Sequence, residues 1–244
     1  YALRDGQKVR RLLINGAECE PYLTCDHRLM LERPEAVVRG AMILGKRLKV
    51  KEITIGVESN KLDAVDALRS VITDNLVSVL PLKVKYPQGA EKMLIHAAYG
   101  LAVPAGKFPI DIEVVVNNVG TMAAMADYFD RGLPLIERAV TVAGPGVARP
   151  ANLIVPLGMS VRELLDFCGG ISDDTRTIVG GGPMMGQPIP DIDVPVLKGT
   201  SGILALTHES ALRPEHACIR CGRCLEGCSN FLNPARLARL ARAG

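Results

Sequence analysis

Between Arg11 and about Arg131, short runs of β-branched and aliphatic residues alternate with longer segments in which apolar side chains recur every three or four positions. A chain patterned this way buries both kinds of surface by building a largely parallel sheet and packing helices against its faces. The pattern predicts strands at Leu12–Asn15, Ile53–Val57, Leu82–Tyr86 and Ile112–Asn117. It predicts crossover helices at Pro34–Leu44, Leu62–Thr73 and Gly89–Ala98, with Pro34 in the first turn, where no amide hydrogen is needed. In such sheets ligands sit outside the carboxyl ends of the strands, and three polar clusters fall there: Asn15–Glu20, Gln88–Glu91 and Asn117–Thr121.

From Gly132–Pro134 onward the texture changes to short strands punctuated by glycine and proline. Strands at Ala139–Ala143, Asn152–Val155 and Thr177–Val179 around a helix at Val161–Cys168 suggest a small β-grasp-like module. The chain is thereby expected to divide into an α/β domain over 1–133, a β-grasp domain over 134–190, a returning extended segment over 191–210 and a helical segment over 211–244. The last of these ends in an arginine-rich helix that begins at Pro234.

Cys218, Cys221, Cys224 and Cys228 form a Cys-x-x-Cys-x-x-Cys-x-x-x-Cys run, the spacing with which thiolates on one tight loop hold a 4Fe–4S cluster. Zinc is the competing metal, but structural zinc sites draw paired ligands from separated loops. In two-cluster proteins the fourth cysteine of such a run ligates the other cluster, whose own run is not in this sequence. That gap, together with a start at Tyr1, leads to the expectation that the sequence is a piece of a longer chain. The remaining thiols, Cys19, Cys25 and Cys168, share no spacing pattern and read as small buried apolar groups. Seven cysteines used in this way suit a reducing compartment.

The balance of 29 basic and 26 acidic residues, with 4% aromatics and no tryptophan, argues against nucleic-acid binding, which needs a basic field or stacking platforms. No run approaches the ~20 apolar residues that span a bilayer, so any membrane association is expected to run through a partner. His27 and His216 receive no role, Gly180–Pro183 reads as a plain turn, and Arg236, Arg239 and Arg242 read as a solvated helix face.

Five motifs carry a family resemblance in order along nearly the whole chain: Ile14-Asn-Gly-Ala-Glu-Cys-Glu-Pro-Tyr-Leu-Thr-Cys-Asp-His-Arg28-Leu-Met30, Tyr86-Pro-Gln-Gly-Ala-Glu-Lys92, Val116-Asn-Asn-Val-Gly-Thr121, Gly181-Gly-Pro-Met-Met-Gly186 and Lys198-Gly-Thr-Ser-Gly202. They resemble RnfC, the peripheral electron-input subunit of membrane-bound complexes that exchange electrons between NADH and ferredoxin and couple this to ion pumping. The resemblance implies a Rossmann-like flavin domain followed by a β-grasp domain of the soluble-ligand-binding type and a ferredoxin-like cluster segment. It implies FMN against Asn15, Glu18, Gly89, Glu91, Asn117, Asn118 and Thr121, NADH stacking on the flavin, a 4Fe–4S cluster on the four cysteines, and no catalytic side chain. The implied partners are the other Rnf subunits and, through them, ferredoxin and the cytoplasmic face of a bacterial inner membrane.

Three departures accompany the match. The family's glycine-rich phosphate loop is expected upstream of Tyr1, Ala17 stands where the related complex I pattern has an acidic residue, and Ser229-Asn230 follows Cys228 where ferredoxin-type runs place proline. A reading without the resemblance makes Asn15, Glu18 and Glu20 a polar loop that serves the dipole of the following helix. Two alternative functions stand beside the leading one: a related cobalamin-reductase flavoprotein and a non-catalytic docking scaffold.

Overall fold

A computed structural model describes residues 7–207, 216–228 and 232–243. Leu12, Leu13 and Ile14 are fully buried, a continuous apolar run that only a strand covered on both faces can use. This strand, β1 (Arg11–Gly16), pairs in parallel with β2 (Glu52–Glu58) on one side and β4 (Val114–Asn118) on the other. With β3 (Val77–Leu82) at one edge, the sheet runs β3-β2-β1-β4.

The helices that cover it are α1 (Cys25–Glu32), α2 (Pro34–Leu48), α3 (Leu62–Val71), α4 (Glu91–Tyr99) and α5 (Val119–Arg131). Helices α2 and α5 pack so closely that a Cβ added to Gly40 would lie 1.9 Å from the Met122 carbonyl oxygen.

The structure moves one strand from its expected place. The third strand is Val77–Leu82, not Leu82–Tyr86, because it lies at the sheet edge, where Pro81 costs no inner ladder bond and alternate residues face solvent. A 3-10 turn at Pro109–Ile112 and left-handed Glu113 delay β4 to Val114. Helices α1 and α5 are additions to the sequence reading.

A second, five-stranded sheet has the order β6-β5-β9-β7-β8. Its strands are β5 (Glu137–Ala143), β6 (Ala151–Pro156), β7 (Thr175–Gly180), β8 (Gln187–Pro188) and β9 (Gly202–Thr207). The returning segment after residue 190 thus supplies the central strand, β9, parallel to β5 and antiparallel to β7. Helix α6 (Val161–Phe167), started by a reciprocal Ser160–Glu163 capping box, packs Leu164 and Leu165 into a core with Val140, Val142 and Ile203.

The two sheets are joined by the loop after β1. Leu23 packs with Val179 and Leu204, the Thr24 amide donates to Thr141 Oγ1 at 3.0 Å, and the Cys25 thiol donates to the Ser201 carbonyl at 3.2 Å. Near the chain's end lie α7 (Arg223–Gly227) and α8 (Pro234–Ala243), the latter starting at the proline the sequence marks.

Candidate functional site

The chain builds β1, β2 and β3 outward in one direction and then crosses to place β4 on the other side of β1. Strand order therefore reverses between β1 and β4, and a crevice opens at their carboxyl ends, where Asn15 and Asn118 are register partners. Two of the three polar clusters read from the sequence meet at this switch point.

Asn15 spends its side chain on the loop before α4. Its Nδ2 donates to the Gly89 carbonyl at 2.9 Å, and its Oδ1 accepts from the Ala17 amide at 3.0 Å. Gly89 fits because it has no side chain; a Cβ there would stand 2.7 Å from the Ala17 carbonyl oxygen. Glu91 follows as the first residue of α4, its side chain exposed.

Glu18 is turned inward. Its carboxylate accepts from the amides of Asp26 at 3.0 Å and His27 at 3.3 Å, at the start of α1, which has no side-chain cap from Thr24. This is the helix-serving role of the polar-loop reading. Lys61 Nζ donates to the Glu18 carbonyl at 3.0 Å and to Glu58 Oε2 at 3.3 Å.

Glu20 performs a different task. It accepts from the Tyr86 hydroxyl at 3.2 Å and from the Met184 amide at 2.9 Å, tying both flanking loops to the β1 end.

On the β4 side, Asn118 caps α5. Its Oδ1 accepts from the Gly120 amide at 2.7 Å, and its Nδ2 donates to Asp26 Oδ2 at 2.6 Å. Asn117 is half-buried beside Ile14, and Thr121 is exposed in the first turn of α5. The residues named from the sequence thus form two groups: Asn15, Glu18 and Gly89 around the β1 end, and Asn117, Asn118 and Thr121 around the start of α5. Glu91 stands outward of both.

Asp26 joins these groups, and sequence reasoning assigned it nothing. An acidic residue just after Thr24 is a helix-start signal, but the apolar stripe that follows is short. Burial, and next the Glu18 carboxylate, push the Asp26 carboxyl up to about 6, against the hydrogen bond from Asn118 and the charges of Arg138 and Lys61. Burial likewise pushes the Cys25 thiol far up, so it is a neutral donor rather than a nucleophile. Asp26, Asn118 and Thr121 line one wall of a cavity of about 350 Å³, and Arg138, Lys198 and Ser201 from the second unit line the other.

The crevice suits FMN in its donor set. Asparagine amides and a threonine hydroxyl supply the paired donors and acceptors that an isoalloxazine edge requires, and Arg138 and Lys198 supply positive charge across the adjoining cavity. The cysteine run matches a cluster in ligand chemistry: Cys218, Cys221 and Cys224 are exposed free thiols, Cys228 is half-buried, and left-handed Arg220 and Gly222 turn the loop between them. Among the described residues, however, no three His, Cys, Asp or Glu side chains are drawn together to hold a metal ion. Nor is any helix among them long and apolar enough to cross a membrane.

Comparison with known proteins agrees with this geometry. Residues 2–127 match the Nuo51 FMN-binding domain and residues 139–188 match the SLBB domain. The chain is 45% identical over 237 residues to an RnfC-type subunit of the proton-translocating ferredoxin:NAD(+) oxidoreductase complex of Clostridium ljungdahlii, covering 97% of this chain and 52% of that protein. It is 44% identical over 243 residues to the counterpart from the Na(+)-translocating complex of Acetobacterium woodii, covering 99% and 55%. It is also 45% identical over 249 residues to the corresponding protein of the ion-translocating oxidoreductase complex of Rhodobacter capsulatus, covering 99% and 47%. The chain therefore spans about half the length of the curated relatives it matches.

Among solved structures, an NAD+-reducing NiFe-hydrogenase in the H2-reduced state superposes with a TM-score of 0.69 at 17% identity, covering 93% of this chain and 45% of that one, a likeness of fold. The similarity to the three ion-translocating relatives runs along the whole sequence, as its motifs imply. With more than half of its residues matched and the expected crevice at the β1/β4 switch point, the chain belongs to the Nuo51 FMN-binding domain family.

Proposed function

We propose that this chain is the flavin-bearing, electron-passing part of an RnfC-type subunit in an ion-translocating ferredoxin:NAD(+) oxidoreductase complex. The observation that carries the reading is the crevice between β1 and β4, whose two lips are the register-paired Asn15 and Asn118. FMN occupies this crevice against Asn15, Glu18, Gly89, Glu91, Asn117, Asn118 and Thr121, and NADH approaches its exposed face. Bound there, FMN supplies the conversion between a two-electron nicotinamide and one-electron carriers. Cys218, Cys221, Cys224 and Cys228 hold a 4Fe–4S cluster, which supplies one such carrier.

The chain's own residues divide the work of binding. Asn15 anchors the Gly89 loop and Glu18 anchors α1, so both shape the crevice chiefly through the backbone they fix. An amide carries two N–H groups and a carbonyl with two lone pairs, which leaves Asn15 and Asn118 further capacity toward a ligand. Thr121 and Glu91 offer exposed polar groups at the two sides. Electrons pass onward to the other subunits of the complex, which hold this one at the cytoplasmic face of a bacterial inner membrane.

The test is cofactor analysis of the full-length protein purified without oxygen. One FMN per chain, iron and sulfide in cubane proportion, and loss of iron in Cys221→Ser are the expected results. Colourless protein with stoichiometric zinc would overturn the assignment.

A further inference from the structure

Among the described residues, Asp26 is the side chain that links the starts of α1 and α5 at the crevice. Its Oδ2 accepts from Asn118 Nδ2 at 2.6 Å while Asn118 Oδ1 accepts from the Gly120 amide at 2.7 Å, so the amide plane of Asn118 is pinned at both ends. There is little room for another arrangement. A Cβ added to Gly120 would lie 2.9 Å from Asn118 Oδ1 and 4.0 Å from Asp26 Oδ1.

The charges around Asp26 come from every element packed on it. Glu18 in the β1–α1 loop bonds the Asp26 amide, Cys25 is its neighbour on α1, Lys61 lies before α3, and Arg138 on β5 faces it from the second unit. Lys198 lines the same cavity, and Arg33 there is engaged by Asp127 at 2.7 and 3.0 Å. An acid beside a second buried acid costs folding energy when ionised, so its geometry serves something other than stability.

We propose that Asp26 is the positioning residue of the flavin site: as a carboxylate it fixes the Asn118 amide, and its charge thereby sets the affinity for flavin. This inference rests on the reading of the β1/β4 crevice as the FMN site. The ionised carboxylate accepts a charge-assisted bond from Asn118, about twice as strong as a neutral one. Protonation removes that assistance and turns one oxygen into a donor, for which Glu18 is the nearest competing acceptor. Since the acid titrates near 6, affinity for flavin is high above that pH and declines below it.

The experiment is FMN binding to the full-length protein, read by quenching of flavin fluorescence between pH 5 and pH 8, for the wild type, Asp26→Asn and Asp26→Ala. The FMN phosphate also titrates near 6, but it does so in all three proteins and cancels in their ratio. The ratio of wild-type to Asp26→Asn affinity is expected to rise about tenfold from pH 5 to pH 8. Asp26→Asn, which still accepts from Asn118, binds more tightly than Asp26→Ala at every pH, and Asp26→Ala is weakened about tenfold or more at pH 8. A pH-independent ratio, or an alanine variant that binds like the wild type, overturns the inference alone. A wild-type full-length protein that binds no FMN overturns the flavin reading and this inference with it.

Discussion

Lys61 and Glu18 approach within 3.7 Å with side chains only 8% and 5% exposed, and Lys61 also bonds Glu58 and the Glu18 backbone carbonyl. A buried cation thus holds two carboxylates and the loop that leaves β1. The same Glu18 carboxylate caps α1, so the crevice floor and the first covering helix share an anchor.

Removing that anchor has a large cost. Glu18→Ala uncaps α1 and leaves Lys61 with Glu58 as its sole carboxylate partner among the described residues, a loss of about 3 kcal/mol. Glu18→Gln keeps the hydrogen-bond acceptors and costs about half as much. Urea denaturation with the slope held constant measures both, and equal effects of the two variants would contradict the cap-and-ion-pair account.

Gly40 tests the packing of α2 on α5. In an exposed helix alanine would be favoured over glycine by about 1 kcal/mol. Here the added methyl meets the Met122 backbone, and Gly40→Ala is expected to destabilise the protein by about 3 kcal/mol. A stabilised variant would show that the helices do not approach so closely.

The Asp26 carboxyl has a signature in stability as well as in binding. Its folded value, about 6, lies above the ordinary 3.8, so the folded state holds the proton more tightly, and stability from this group is lost as pH rises from about 4 through 6. Asp26→Asn removes that loss. Its stability advantage over the wild type is expected to grow by about 1 kcal/mol between pH 5 and pH 8, measured by denaturation at each pH. An advantage that shrinks over this range would refute the buried, raised acid.

Glu20 couples the two units. Glu20→Gln weakens the bonds to the Tyr86 hydroxyl and the Met184 amide, and hydrogen exchange at Met184 is expected to quicken about tenfold while β1 and β2 keep their protection. Unchanged exchange at Met184 would mean that the carboxylate does not fasten that loop.

Much of this was legible because parallel sheets declare themselves locally. Leu12–Ile14 and the β2 run are apolar on both faces, and the polar residues that follow β1 and β4 fall at the one place where a doubly wound sheet opens a crevice. What the sequence hid depends on distant partners. Helix α1 escaped notice because its cap comes from Glu18, seven positions before the first helical residue, and not from the adjacent Thr24. The third strand was displaced because Pro81 reads as a breaker until its place at the sheet edge is known. β9 looked like a connecting segment because nothing local shows that it will pair with both β5 and β7. Asp26 acquires a role only through Asn118, ninety-two residues away.

The most direct measurement is an anaerobic titration of the full-length protein with NADH, followed by visible absorption. Stepwise bleaching of a flavin band together with the broad iron–sulfur absorbance is the result the account predicts, with the flavin response reduced in Asp26→Ala at subsaturating FMN. A protein that carries FMN but leaves its spectrum unchanged on NADH addition would contradict the central claim that the crevice between Asn15 and Asn118 is where nicotinamide electrons enter.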